Sequence, residues 1–275
     1  WIAYTGSLDN GLAIKAGSVL EDGVADTEYL TLGTDTVSIT FGMDTGNNLS
    51  STVVPHISDQ DATLYGTANS NTALEATTEN QLGSEAHDAR HISLDAKGVG
   101  GTFTVRYAPS GDANRVGDSG IDTSGTSELE ILYAGSLGVD GLNVQLGMQR
   151  TNQENESGTT DDAQLSKLGV AYNFGQIAVG VDRQQFDSGA TVNSDTKSTR
   201  YGIVYAATDA IKLGVRYTKT DADGTTADEK LKTLEIGYNL GGLGIELAVG
   251  KIENIGNSNT AGDADMVQLR TRQAF

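Results

Sequence analysis

Glu128 and Glu130 stand two residues apart in "SELEILY", a spacing that puts both carboxylates on one face of an extended chain. Paired carboxylates serve glycoside hydrolysis, but two on one strand face form such a pair only by accident of fold. A second acidic group, "DADGTTADE", offers Asp221, Asp223, Asp228 and Glu229. Its composition is close to a calcium loop, although the full EF-hand spacing is missing. Calcium at Asp221, Asp223 and Asp228 is kept as a candidate beside the plainer reading of a solvated acidic loop, and no other cofactor is expected. His56, His87 and His91 lack the spacing of a zinc site, and with no Cys there is neither a thiolate site nor a disulfide. No nucleophile elbow or metal motif occurs, and "GLGIELAVGK" lacks the spacing of a phosphate-binding loop. An enzyme is not expected.

The remaining charge is strongly acidic: 18 Lys+Arg against 37 Asp+Glu give a formal net charge of -19. Nucleic acid, whose phosphates need a basic footprint, is excluded as a partner. No basic-then-apolar leader opens the chain and no run of 18 apolar residues occurs, so a helical membrane span is not expected. The 35 Gly, 10 Tyr and 2 Pro suit strands and tight turns.

The charged residues sit on a two-residue alternation. "GLNVQLGMQ" sets Leu142, Val144, Leu146 and Met148 against Asn143, Gln145, Gly147 and Gln149. "IKLGVRYT" sets Ile211, Leu213, Val215 and Tyr217 against Lys212, Gly214, Arg216 and Thr218. In "GTFTVRYA", Phe103, Val105 and Tyr107 oppose Thr102, Thr104 and Arg106, and in the terminal "DMVQLRTRQAF" Val267, Leu269 and Phe275 oppose Arg270 and Arg272. Each is a strand with one apolar and one polar face.

Short turns such as "SLDNG", "GTDT", "KGVGG", "SLGVDG" and "NLGG" alternate with long polar loops such as "NQENESGTTDD" and "TDADGTTAD". An up-and-down meander with one short-turn end and one long-loop end has the asymmetry of a transmembrane barrel. Strands are predicted near residues 1–6, 12–20, 27–33, 36–43, 90–96, 101–108, 127–135, 142–151, 163–174, 176–186, 196–207, 210–220, 229–240, 244–253 and 264–275, fifteen in all. Bacterial single-chain barrels have an even number, so one further strand is expected upstream. The predicted fold is all-β: a 16-stranded antiparallel transmembrane β-barrel, with residues 1–275 as its single domain. Tyr133, Tyr172, Phe174, Tyr217, Tyr238 and Phe275 share parity with the apolar side and are expected near strand ends, where a membrane interface places its aromatic girdle.

The longest connection, residues 44–87, carries Asp44, Asp59, Asp61, Glu75, Glu79 and Glu85 and no Lys or Arg. A connection of that size in a compact fold is functional or disordered. It is either a solvated surface loop or an inward-folded one.

"SLDNGLAIKAGSVLED" resembles the strand-turn-strand motif of Gram-negative general diffusion porins, and "TEYLTLGTDTVSITFGMDTGN" resembles the following hairpin of that family. The tail "GDADMVQLRTRQAF" is similar to the terminal strand of porins of the alphaproteobacterial type. The meander between agrees in pattern rather than in letters. The resemblance implies that 44–87, which follows strand five once the upstream strand is counted, is the constriction loop, with Asp59, Asp61, Glu75, Glu79 and Glu85 facing basic groups on the wall. Lys15, Arg106, Lys212, Arg216, Arg270 and Arg272 are the expected wall cations, with Lys167 and the carboxylates Asp95, Glu128, Glu130, Asp182, Glu235 and Glu246 also facing the lumen. It further implies a homotrimer in the outer membrane of a Gram-negative bacterium, in contact with membrane lipid and lipopolysaccharide. Small hydrophilic solutes and ions would pass through it passively, with weak cation preference. The competing reading is a secreted β-rich structural or adhesive protein.

Overall fold

The computed structural model describes residues 2–9, 11–21, 24–43, 49, 52–57, 90–109, 127–152, 162–187, 195–255 and 262–273. Among these, fifteen strands follow one another: β1 (Ile2–Ser7), β2 (Ala13–Glu21), β3 (Val24–Gly33), β4 (Val37–Met43), β5 (His91–Gly98), β6 (Gly101–Ala108), β7 (Ser127–Gly135) and β8 (Leu142–Asn152). They continue with β9 (Ala163–Asn173), β10 (Ile177–Asp187), β11 (Thr196–Ala206), β12 (Ile211–Ala222), β13 (Glu229–Asn239), β14 (Leu243–Glu253) and β15 (Ala264–Gln273). Every strand pairs antiparallel with its neighbour in sequence, giving one sheet in the order β1 to β15. β1 and β15 are its edges, and no pairing joins them among the described residues.

The alternation fixes the register. On β12, Ile211, Leu213 and Val215 are exposed while Gly214, Arg216, Thr218 and Thr220 are buried. β13 repeats the pattern, with Leu234, Ile236 and Tyr238 exposed and Thr233, Glu235 and Gly237 buried. Among the described residues no second layer covers the apolar side chains: Phe41, Leu94, Phe103, Leu168 and Ile203 are all open on the same face. A one-residue slip of any strand would exchange its two faces. An Arg turned to a bilayer midplane costs roughly 2–4 kcal/mol, so Arg106, Arg216, Arg270 and Arg272 hold the polar parity of their strands in place.

The hairpin between β5 and β6 turns on Val99 and Gly100, both with positive φ (49° and 71°). That is the backbone required to match the twist of the flanking strands. Tyr133 on β7 ties it down: its hydroxyl donates to Val99 O at 2.9 Å and accepts from Leu137 N at 3.1 Å. Phe103, Tyr133, Tyr172, Phe174, Tyr205 and Tyr238 gather near the short turns on the apolar face, Tyr172 and Phe174 with ring centroids 4.6 Å apart. Tyr217 departs from the expectation: it lies mid-strand in β12 and stacks on Tyr201 at 6.2 Å. Phe275 lies outside the described residues. β3 also starts earlier than predicted, at Val24 rather than near 27, because the pairing with β2 continues across a register shift at Val19/Leu20.

Candidate functional site: the polar face and the segment seated on it

Cross-strand arithmetic decides which charges on the polar face meet. Arg106 on β6 and Glu130 on β7 are register partners and form a buried ion pair. Arg200 and Asp182 are likewise partners across β11 and β10, with Nε 2.8 Å from Oδ1. Arg216 Nε lies 3.6 Å from Glu235 Oε1, and Arg272 Nε 3.5 Å from Glu246 Oε1. Burial of an unpaired charge is costly, and pairing it with a neighbour on the same wall offsets part of that penalty.

Two of these carboxylates have a second task. Asp182 gives Oδ1 to Arg200 and accepts at Oδ2 from Thr52 Oγ1 at 2.5 Å. Glu235 faces Arg216 through Oε1 and accepts at Oε2 from the backbone N–H of Ile57 at 2.6 Å. Lys167 Nζ and Gln184 Nε2 both donate to Leu49 O, at 2.8 and 3.2 Å. Leu49 and residues 52–57 therefore lie against the polar face, held by charge-assisted hydrogen bonds.

The seat itself is made of glycine. One glycine from each of six consecutive strands, Gly147, Gly169, Gly180, Gly202, Gly214 and Gly237, faces this segment. A Cβ at Gly169 would come within 2.6 Å of Val53 Cγ2, at Gly180 within 2.7 Å of Pro55 Cδ, and at Gly237 within 2.7 Å of Ile57 Cγ2. Leu49 takes the place of a side chain at Gly147 and packs with Leu132 and Leu165, which break the polar pattern of the same face, and with Phe186.

A family model described as Gram-negative porin matches residues 1–259. The chain belongs to the Gram-negative porin family. No match is found among curated proteins. Among solved structures, a porin refined at 1.8 Å resolution shares 16% identity, with 98% of this chain and 90% of that one covered and a TM-score of 0.62. The outer-membrane OmpT of Vibrio cholerae shares 16% identity over 99% of this chain and 84% of its own, at a TM-score of 0.60. A substituted form of the Rh. blastica porin shares 16% identity over 99% and 88%, at 0.55. At that identity these likenesses carry the fold, an antiparallel barrel of about sixteen strands. The family carries the rest: the porin is a non-enzymatic outer-membrane channel for passive diffusion of small solutes. The polar face is then the lumen wall and the exposed apolar face meets lipid, and the reading as a secreted structural protein falls.

Of the expected wall cations, Arg106, Arg216 and Arg272 are in the ion pairs above, Lys15 and Lys212 are exposed on β2 and β12, and Arg270 is the register partner of Glu246. Asp59, Asp61, Glu75, Glu79 and Glu85 lie outside the described residues. Asp221, Asp223 and Asp228 are not brought together as a metal cluster among the described residues, and Asp228 instead takes Lys219 Nζ at 2.7 Å. Arg200 was missed by the sequence reading, yet its parity opposite Tyr201, Ile203 and Tyr205 marks it as inward.

Proposed function

We propose that residues 44–87 form the constriction loop of this porin and give it weak cation preference. The observation that carries the reading is the anchoring of Leu49 and Thr52–Ile57 on the wall through Lys167, Asp182 and Glu235. A segment seated across six strands narrows the lumen from one side. The selectivity argument is electrostatic. The wall arginines Arg106, Arg200, Arg216 and Arg272 are offset by wall carboxylates, so the six carboxylates of 44–87, with no Lys or Arg among them, set the sign of the remaining field. Wall pairs of opposite sign beside an acidic loop also order water and favour small polar solutes over apolar ones.

The test is reversal potential across a planar bilayer in a salt gradient. Replacing Asp59, Asp61, Glu75 and Glu79 with Asn or Gln should move it toward zero, and Arg270→Gln with Arg272→Gln should move it toward stronger cation preference. Unchanged potentials in the loop variant would remove those carboxylates from the constriction. A homotrimer embedded in lipid and lipopolysaccharide completes the proposal; a monomer in cross-linked, unboiled outer-membrane extracts would contradict it.

A further inference from the structure

Below the seated segment, toward the short-turn end, lies a cavity of about 670 Å³. Its lining divides by chemistry. Pro55, Ile57 and Val204 supply apolar surface, and Asp209, Lys212, Glu246 and Arg272 supply charge. The sheet register explains the arrangement. Lys212, Gly237, Glu246 and Arg270 form one transverse row of inward positions across β12 to β15, through the pairs Lys212↔Gly237, Gly237↔Glu246 and Glu246↔Arg270. One step toward the turns, Gly244 pairs with Arg272. A Cβ at Gly244 would meet nothing closer than Arg272 O at 3.7 Å, so the missing side chain leaves room between the charges.

The ionic groups here differ from those above them on the wall. Lys212 is exposed and enters none of the ion pairs among the described residues, unlike Arg106, Arg200 and Arg216. Glu246 holds Arg272 only at 3.5 Å, and its Oε2 has no hydrogen-bond partner. An ammonium in no ion pair, a carboxylate in one long ion pair and an apolar wall thus share one cavity. A volume of this order, largely apolar with a few placed charges, is typical of small-molecule sites, which run about 300–1,000 Å³.

We propose that this cavity is a binding subsite for zwitterionic solutes with aliphatic side chains: free aliphatic amino acids and short peptides of them. The ligand carboxylate meets Lys212, its ammonium meets Glu246, and its side chain lies against Pro55, Ile57 and Val204. Passage of such solutes is then saturable, whereas other small polar solutes diffuse without a bound stage. The inference rests on the lumen wall and on the described part of the seated segment, not on the selectivity proposed for residues 44–87.

Single-channel current noise in planar bilayers tests it, with leucyl-leucine as the probe and isovalerate and isopentylamine, each carrying one of the charges, as comparisons. Leucyl-leucine should produce current interruptions that saturate with concentration, and each comparison compound should bind more weakly. Lys212→Gln removes one charge-assisted contact and should weaken binding about tenfold. Gly244→Leu closes the room between the charges without removing any of them and should abolish the interruptions. Both variants should keep the open-channel conductance in salt within the range of an assembled channel, which separates loss of the subsite from loss of the barrel. Interruptions that rise linearly with leucyl-leucine, or that persist unchanged in both variants, would overturn the proposal while leaving the channel itself intact.

Discussion

The backbone N–H of Ile57 donates to Glu235 Oε2 at 2.6 Å, joining residues 178 positions apart in the chain. Glu235 also faces Arg216 on the next strand, so one carboxylate serves both wall integrity and segment position. The two roles separate on substitution. Glu235→Gln keeps an acceptor for Ile57 and should leave single-channel conductance near its native value. Glu235→Leu removes the acceptor, releases the end of the segment and should raise conductance. It also takes a carboxylate away from buried Arg216, so the temperature at which the unboiled electrophoretic band is lost should fall, in line with a cost of about 3 kcal/mol.

The glycine seat makes a paired prediction. A Cβ at Gly202 would sit 2.5 Å from Pro55 O and would also strike Val54 Cγ1, whereas one at Gly244 would make only ordinary contacts. Gly202→Ala should therefore push the segment into the lumen and lower conductance, and Gly244→Ala should not. Equal conductance in the two variants would show that the seat does not fix the segment's position.

Val99 holds φ of 49°, a conformation costly for a β-branched residue, at the first position of a two-residue hairpin. Asn is suited to that position. Val99→Asn should raise the melting temperature in detergent, reflecting about 1 kcal/mol, with no change in conductance. Tyr133→Phe removes the clamp on Val99 O and Leu137 N and should lower it.

Asp263, in the connection before β15, has its carboxyl held below the ordinary 3.8, first by the hydrogen bond from Lys251 Nζ and then by that from Asn254 N. A depressed folded value means that the contact stabilises above 3.8 and fades only as pH falls through the lower value. Titration of the Asp263 carboxyl by NMR in detergent should give a midpoint below 3.8, and Lys251→Gln should raise it. A native midpoint at or above 3.8 would mean the contact does not form.

Most of the sheet was legible because one face meets lipid and the other water. Ile211, Leu213 and Val215 against Lys212, Gly214 and Arg216 state the orientation of β12 before any pairing is known. The β3 start was lost because Asp26 interrupts the apolar signal where a bulge changes register. The site was legible only as parity. Gly147 and Gly214 read as polar-side spacers, and their role as a seat needs the neighbouring strands in place. Leu132 and Leu165 run against the polar pattern of their face because Leu49, far away in sequence, covers them. Arg–carboxylate pairing across strands depends on register, which alternation constrains only to within two residues.

The central claim is that alternate side chains of β12 face water and lipid in turn. The chain has no native Cys, so single Cys replacements at Ile211, Lys212, Leu213, Val215 and Arg216 can be treated with a charged, membrane-impermeant thiol reagent during current recording. Modification should lower conductance at 212 and 216 and leave it unchanged at 211, 213 and 215. Block at Leu213 and Val215, with none at Lys212 and Arg216, would contradict the account.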